Sequence, residues 1–77
     1  MNKEPIEVDF NNVDVDGAVR LHLPMTTQSL QKMKIELSEG LRVFISDGEI
    51  EAIGTVIFRE GAWLAIIDEG SVNRLDK

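Results

Sequence analysis

Seventy-seven residues make one small β-barrel-sized domain, 1–77, because a chain this short buries only about 60% of its unfolded surface and cannot divide that core in two. Its 43% apolar and 29% charged fractions belong to an ordinary folded domain, and the size argues against an enzyme with a deep pocket of its own. A net charge of −6 opposes phosphate backbones and anionic lipid, so nucleic acid and membrane partners are not expected.

Cysteine is absent, which excludes disulfides, thiolate metal sites and cysteine nucleophiles. The polar start Met1-Asn-Lys-Glu-Pro5 and the lack of an apolar run near the roughly 18 residues of a membrane helix give the expectation of a cytoplasmic protein.

Ile6 to Phe10 alternates, with Ile6, Val8 and Phe10 on one face and Glu7 and Asp9 on the other, as a half-buried strand does. Val13-Asp-Val-Asp-Gly17 supplies turn chemistry. Ala18 to Leu23 then returns as the second arm of a hairpin, with Val19, Leu21 and Leu23 opposed to Arg20 and His22. Pro24 closes that strand because it cannot donate to a ladder.

Residues 26–33 form the one helical candidate, with a threonine at the cap and Leu30 and Met33 on one face, ending near Lys34. About two turns long, it needs packing against the sheet to persist. From Leu41 the strand signal is strong. Leu41, Val43 and Ile45 share one face, and Arg42, Phe44 and Ser46 the other; Asp47-Gly48 is a hairpin signal.

Ile50 to Phe58 places Ile50, Ala52, Gly54, Val56 and Phe58 on one side and Glu51, Ile53, Thr55 and Ile57 on the other, with Gly54 marking a bulge or bend. Glu60-Gly61 turns the chain into the apolar strand Ala62–Ile67. Ser71 to Leu75 is a short last strand or a single helical turn. The class that follows is mainly β, a β-rich α+β domain: a small antiparallel barrel or half-barrel of five to six strands, arranged as a meander, with one short helix.

The run Gly40-x-x-Val43, Asp47-Gly48 and Gly54-x-Val56 resembles the strand-turn-strand core of small SH3-like β-barrel modules, KOW-type modules among them. The resemblance covers about a third of the chain and implies the barrel fold alone; KOW-type modules meet RNA or protein, and the acidic balance here points away from RNA. Asn12-Val-Asp-Val-Asp-Gly17 followed by Ala-Val-Arg-Leu21 is similar to the turn and strand of PilZ domains, which bind cyclic dinucleotides. It implies a ligand turn at Asn12, Asp14, Gly17 and Arg20. The chain departs from that pattern in having Asp14 where PilZ domains carry serine and no arginine in its first eleven residues, so the phosphate grip is lacking.

The spacing Asn12-x-Asp14-x-Asp16-Gly17 also resembles the first half of an EF-hand loop, but Leu23 stands where the closing glutamate belongs, and an acidic turn accounts for the same residues. His22 is the single histidine, and no serine lies in a Gly-x-Ser-x-Gly motif. No catalytic residue, metal site or cofactor is therefore expected.

The strands around Gly54 are apolar on both faces, which creates a surplus. Trp63 is a core plug or an interface anchor, and Phe44, Ile53 and Ile57 need cover. Burying three large aliphatic side chains contributes on the order of 5–8 kcal/mol, so this face is expected to be covered, preferably by the helix carrying Leu30 and Met33, alternatively by another chain. The functional expectation is a non-enzymatic, bacterial-type accessory or regulatory module acting through protein contacts at Phe44, Ile53, Ile57 and Trp63, its partner unidentified. Strand addition at an exposed edge would make it a homodimer. The alternatives are a degenerate PilZ-like cyclic-dinucleotide sensor and an acidic decoy that inhibits a basic nucleic-acid-binding protein.

Overall fold

The alternating pattern between Leu41 and Ile67 becomes the centre of a six-stranded sheet, curled into a half-barrel, in a computed structural model that describes residues 1–14 and 16–75. In chain order the elements are β1 (Ile6–Glu7), β2 (Val19–Arg20), α1 (Pro24–Met33), β3 (Arg42–Ser46), β4 (Ile50–Arg59), β5 (Ala62–Ile67) and β6 (Asn73–Arg74), with a 3₁₀ turn at Glu69–Ser71 between the last two. The main order is β1-β3-β4-β5-β2, and β6 joins β4 beside β5.

The Asp47-Gly48 turn forms as its residues direct. The Asp47 carboxylate accepts the N–H groups of Glu49 and Ile50, both at 2.8 Å, and Gly48 takes a left-handed φ of 96°. These hydrogen bonds favour the ionised carboxylate and hold the Asp47 pKa below its ordinary value. The ladder beyond pairs Val43 with Gly54 and Ile45 with Ala52, and β5 continues it through Gly54–Ile67 and Val56–Ala65.

This one face carries the core. Ile6, Val8, Val19, Leu21, Val43, Ile45, Ala52, Val56 and Ala65 are all at most 1% exposed. The register passes straight through Gly54, so it marks a close approach rather than a bulge: a Cβ there would stand 3.1 Å from the Ala65 Cβ and 3.3 Å from the Ile66 carbonyl oxygen.

The N-terminal third departs from the expected meander. Ile6–Glu7 does not pair with Val19–Arg20. It lies parallel to β3, Ile6 beside Ile45, while β2 lies antiparallel to β5, Val19 beside Ala65. The two arms of the expected hairpin thus sit at opposite ends of the sheet. The physical reason is that β3 and β5 each offered a free edge beside an apolar row, whereas a lone two-stranded hairpin is marginal in water. The alternation was nevertheless right about facing, since Ile6, Val8, Val19 and Leu21 all enter the core. The turn between them includes Val15, which lies outside the described residues; around it, a bridge pairs Val13 with Val19 and the Asp14 N–H donates to Ala18.

The helix begins at Pro24, two residues before the expected range 26–33. Pro24, expected to close a strand, opens α1, where its missing N–H costs nothing and its fixed φ suits the first turn. Leu23 occupies the cap position, and Thr26 is fully buried inside the helix with its hydroxyl unpartnered. The end at Met33 agrees with the break expected near Lys34, which adopts a left-handed φ of 56° while the Ile35 N–H returns to the Leu30 carbonyl. The helix packs on β1 through Leu30, inside the curl.

Two substitutions test this packing. Ile45→Ala should lower stability by about 2–5 kcal/mol, and Gly54→Val by about 1–3 kcal/mol because the added atoms meet β5 backbone. Urea unfolding would read both as earlier midpoints, and a Gly54→Val protein as stable as the parent would refute the close approach.

Candidate functional site

Because strand side chains alternate, the same three strands that supply the core present a second row to the outside. On it Phe44 faces Ile53, Thr55 faces Ile66 and Ile57 faces Leu64. Phe44, Ile53 and Ile57 are half-buried, and Ile66 is 39% exposed. With α1 committed to β1 and the inner face, the helix does not cover these residues, contrary to the expectation that it would.

Backbone around this row is well fixed. The Ser71 hydroxyl accepts the Ile53 N–H at 2.8 Å and donates to the Asp68 carbonyl at 2.6 Å, and the Asp68 N–H reaches the Ile53 carbonyl at 2.8 Å. The 3₁₀ turn thereby fills the gap where the edge of β4 passes from β5 to β6. On the opposite edge, the Asn2 side-chain amide takes the place of a strand: its oxygen accepts the Phe44 N–H and its nitrogen donates to the Phe44 carbonyl, each at 2.9 Å. With β1 beside Ile45 and Ser46, this closes most of the β3 edge on which a homodimer by strand addition would depend.

Trp63 does not join Phe44, Ile53 and Ile57. It sits on the inner side of β5, packs against the core, and meets Phe58 edge-to-face with ring centroids 4.8 Å apart. Strand parity already separated it: Trp63 opposes Phe58, whereas Ile66 and Leu64 oppose Thr55 and Ile57. Parity also pointed to Ile66, the outer-face residue that sequence reasoning left off its contact surface.

One end of the outer face is closed by the turn at residues 12–17. Arg59 places its guanidinium on Asp16 through two bonds, at 2.7 and 3.0 Å, and lies 3.6 Å from the Asp14 carboxylate. Arg20 donates to the Asn12 side chain at 2.8 Å. Leu64, on this face opposite Arg20 and one ladder step from Arg59, is only 3% exposed, as expected beneath two arginine stems anchored to a turn. The residues named for a ligand turn, Asn12, Asp14, Arg20 and a left-handed Gly17 (φ 81°), lie together, and their polar groups engage one another and Arg59.

Arg59 is the largest cause of an Asp16 pKa held below the ordinary 3.8, helped by the Ala18 N–H, and Asp16 in turn raises the pKa of Arg59. His22 is exposed, away from this cluster's hydrogen bonds. Among the described residues, no group of three or more His, Cys, Asp or Glu side chains is placed to hold a metal ion, and no helix is long and apolar enough to cross a membrane. Comparison with protein-family models, curated proteins and solved structures finds no match to this chain.

The Asp16 contact makes a pH prediction with a defined sign. A carboxylate whose folded pKa is depressed adds stability above its unfolded value, about 3.9, and that contribution disappears as pH falls through the lower folded value. Carboxyl-carbon NMR should find the Asp16 midpoint below 3.8 in the parent and shifted upward in Arg59→Gln. An unchanged midpoint would mean that Arg59 does not hold the turn.

Proposed function

We propose that the protein is a non-enzymatic module that acts by binding another protein through the outer face of β3, β4 and β5, with Phe44, Ile53, Ile57 and Ile66 as the contact residues. The observation that carries this reading is the lack of cover among the described residues: the helix packs inside the curl, and the apolar row outside remains half-buried to exposed. Its rim is polar. Arg42 pairs with Asp68 at 3.2 Å in an exposed ion pair next to Phe44, and Thr55 lies between Arg42 and Ile66. An apolar centre inside a polar rim is the ordinary anatomy of a protein interface.

The row is also held in advance of binding. Each of its residues is fixed by a ladder partner, and Phe44 and Ile53 have their backbone groups additionally tied by Asn2, Ser71 and Asp68. A surface that does not need ordering loses less affinity to conformational entropy on association. Trp63, partly buried against the core on the inner side of β5, is not one of the contact residues in this reading.

The test compares two variants of the immobilised protein in capture from native cells. Ile53→Glu with Ile57→Glu should weaken a captured partner by tenfold or more, equivalent to about 1.4 kcal/mol. Met25→Glu, at an exposed helical position on the far side of the sheet, should leave capture unchanged. Equal capture by both, with both chains folded by circular dichroism, would refute the outer face as the contact.

A further inference from the structure

A second feature lies at the N-terminal end of β3, apart from the outer face. The chain before β1, the segment after α1 and the start of β3 enclose an open groove of about 510 Å³, within the 300–1,000 Å³ range of small-molecule sites. Its apolar wall is formed by Met1, Met33, Ile35, Leu41 and Val43. Two of these are methionines, whose unbranched side chains adapt to irregular or extended occupants.

The polar lining has a sign. Lys3 and Arg42 stand there against one carboxylate, Glu4, in a chain whose net charge is −6. Arg42 touches Asp68 at 3.2 Å, but both side chains are about half exposed, 55% and 49%, and such pairs exchange partners at little cost. Asn2 completes the lining while its amide is occupied by the Phe44 backbone.

The geometry narrows the occupant. An extended peptide would need a run of unpaired β3 backbone, yet Phe44 is taken by Asn2, Ser46 accepts the Val8 N–H, and Ile45 faces β4. By strand alternation only the Arg42 N–H and carbonyl remain on that edge, too few for an added strand. An aliphatic body with a single anionic head requires no more than the apolar wall, two cations and one backbone donor.

We propose that this groove is a binding site for a small amphipathic anion, an aliphatic carboxylate whose chain lies along Met33, Ile35, Leu41 and Val43 and whose head is held by Lys3 and Arg42. The site uses none of the contact residues Phe44, Ile53, Ile57 and Ile66 and shares only Arg42 with the polar rim of that face, so responses at Met33 and Ile35 tell it apart from the protein-contact reading.

The probes are hexanoate, octanoate and decanoate, each below its micelle-forming concentration, titrated into the full chain while methionine methyl and backbone amide NMR signals are followed. Saturable one-to-one shifts should appear at Met1, Met33, Ile35 and Leu41, with affinity rising about three- to fourfold for each added methylene. Decyltrimethylammonium should produce no such shifts, and Lys3→Ala with Arg42→Ala should weaken decanoate at least fivefold while leaving the amide spectrum dispersed. Shifts that do not saturate, equal binding of the cationic amphiphile, or shifts centred on Ile53 and Ile57 would each overturn the assignment, and the chain-length series does so without any variant.

Discussion

The half-barrel depends on how closely β5 can approach β4 at Gly54. Where a side chain would begin, the Ala65 Cβ and the Ile66 carbonyl are already within 3.1 and 3.3 Å. Small residues at Ala52, Gly54 and Ala65 let the sheet curl until the branched side chains of β1, β2 and β3 meet inside it, at the close packing that protein interiors require. β4 bears this arrangement because it is the longest strand, ten residues, and is paired to β3 along one edge and to β5 and β6 along the other. The end strands need only two residues each, since the curl brings their apolar side chains to an existing core.

That curl determines which apolar residues are covered. Its concave side takes the helix through Leu30 and Met33, along with Ile35, Leu37 and the Phe58–Trp63 pair at the rim. Its convex side has only what the connecting segments bring. The acidic turn closes one end over Leu64 by means of Arg20 and Arg59, and the 3₁₀ turn braces Ile53 from the edge. Between these supports Phe44, Ile53, Ile57 and Ile66 form a rigid row partly open to solvent. Much of the polar chemistry that looked like a ligand turn in the sequence thus serves to hold a connection across the back of the sheet.

The central strands were legible because their signals are local. Alternation from Leu41 to Ile67, with turns at Asp47-Gly48 and Glu60-Gly61, gave β3, β4, β5 and the correct faces. Partner choice at the N-terminus was not legible, because Ile6 and Val8 carry the same apolar pattern whether they pair with Val19 or with Ile45; edge availability decided between them. Pro24 illustrates a similar ambiguity, for proline ends a strand and begins a helix by the same missing donor. The grouping of Trp63 with Phe44 came from size rather than parity, and the half-turn between successive strand residues separates them. The Asn2 plug left no sequence signal at all, since a bidentate amide contact to residue 44 depends on where β1 lands.

The central claim is that one face of β3, β4 and β5 is core while the other is accessible in the isolated chain. Isoleucine methyl NMR with a soluble paramagnetic probe measures this directly. The methyls of Ile53, Ile57 and Ile66 should be strongly broadened by the probe, and those of Ile6 and Ile45 should be protected. Protection of Ile53, Ile57 and Ile66 equal to that of Ile6 would contradict the two-sided arrangement and the interface built on it.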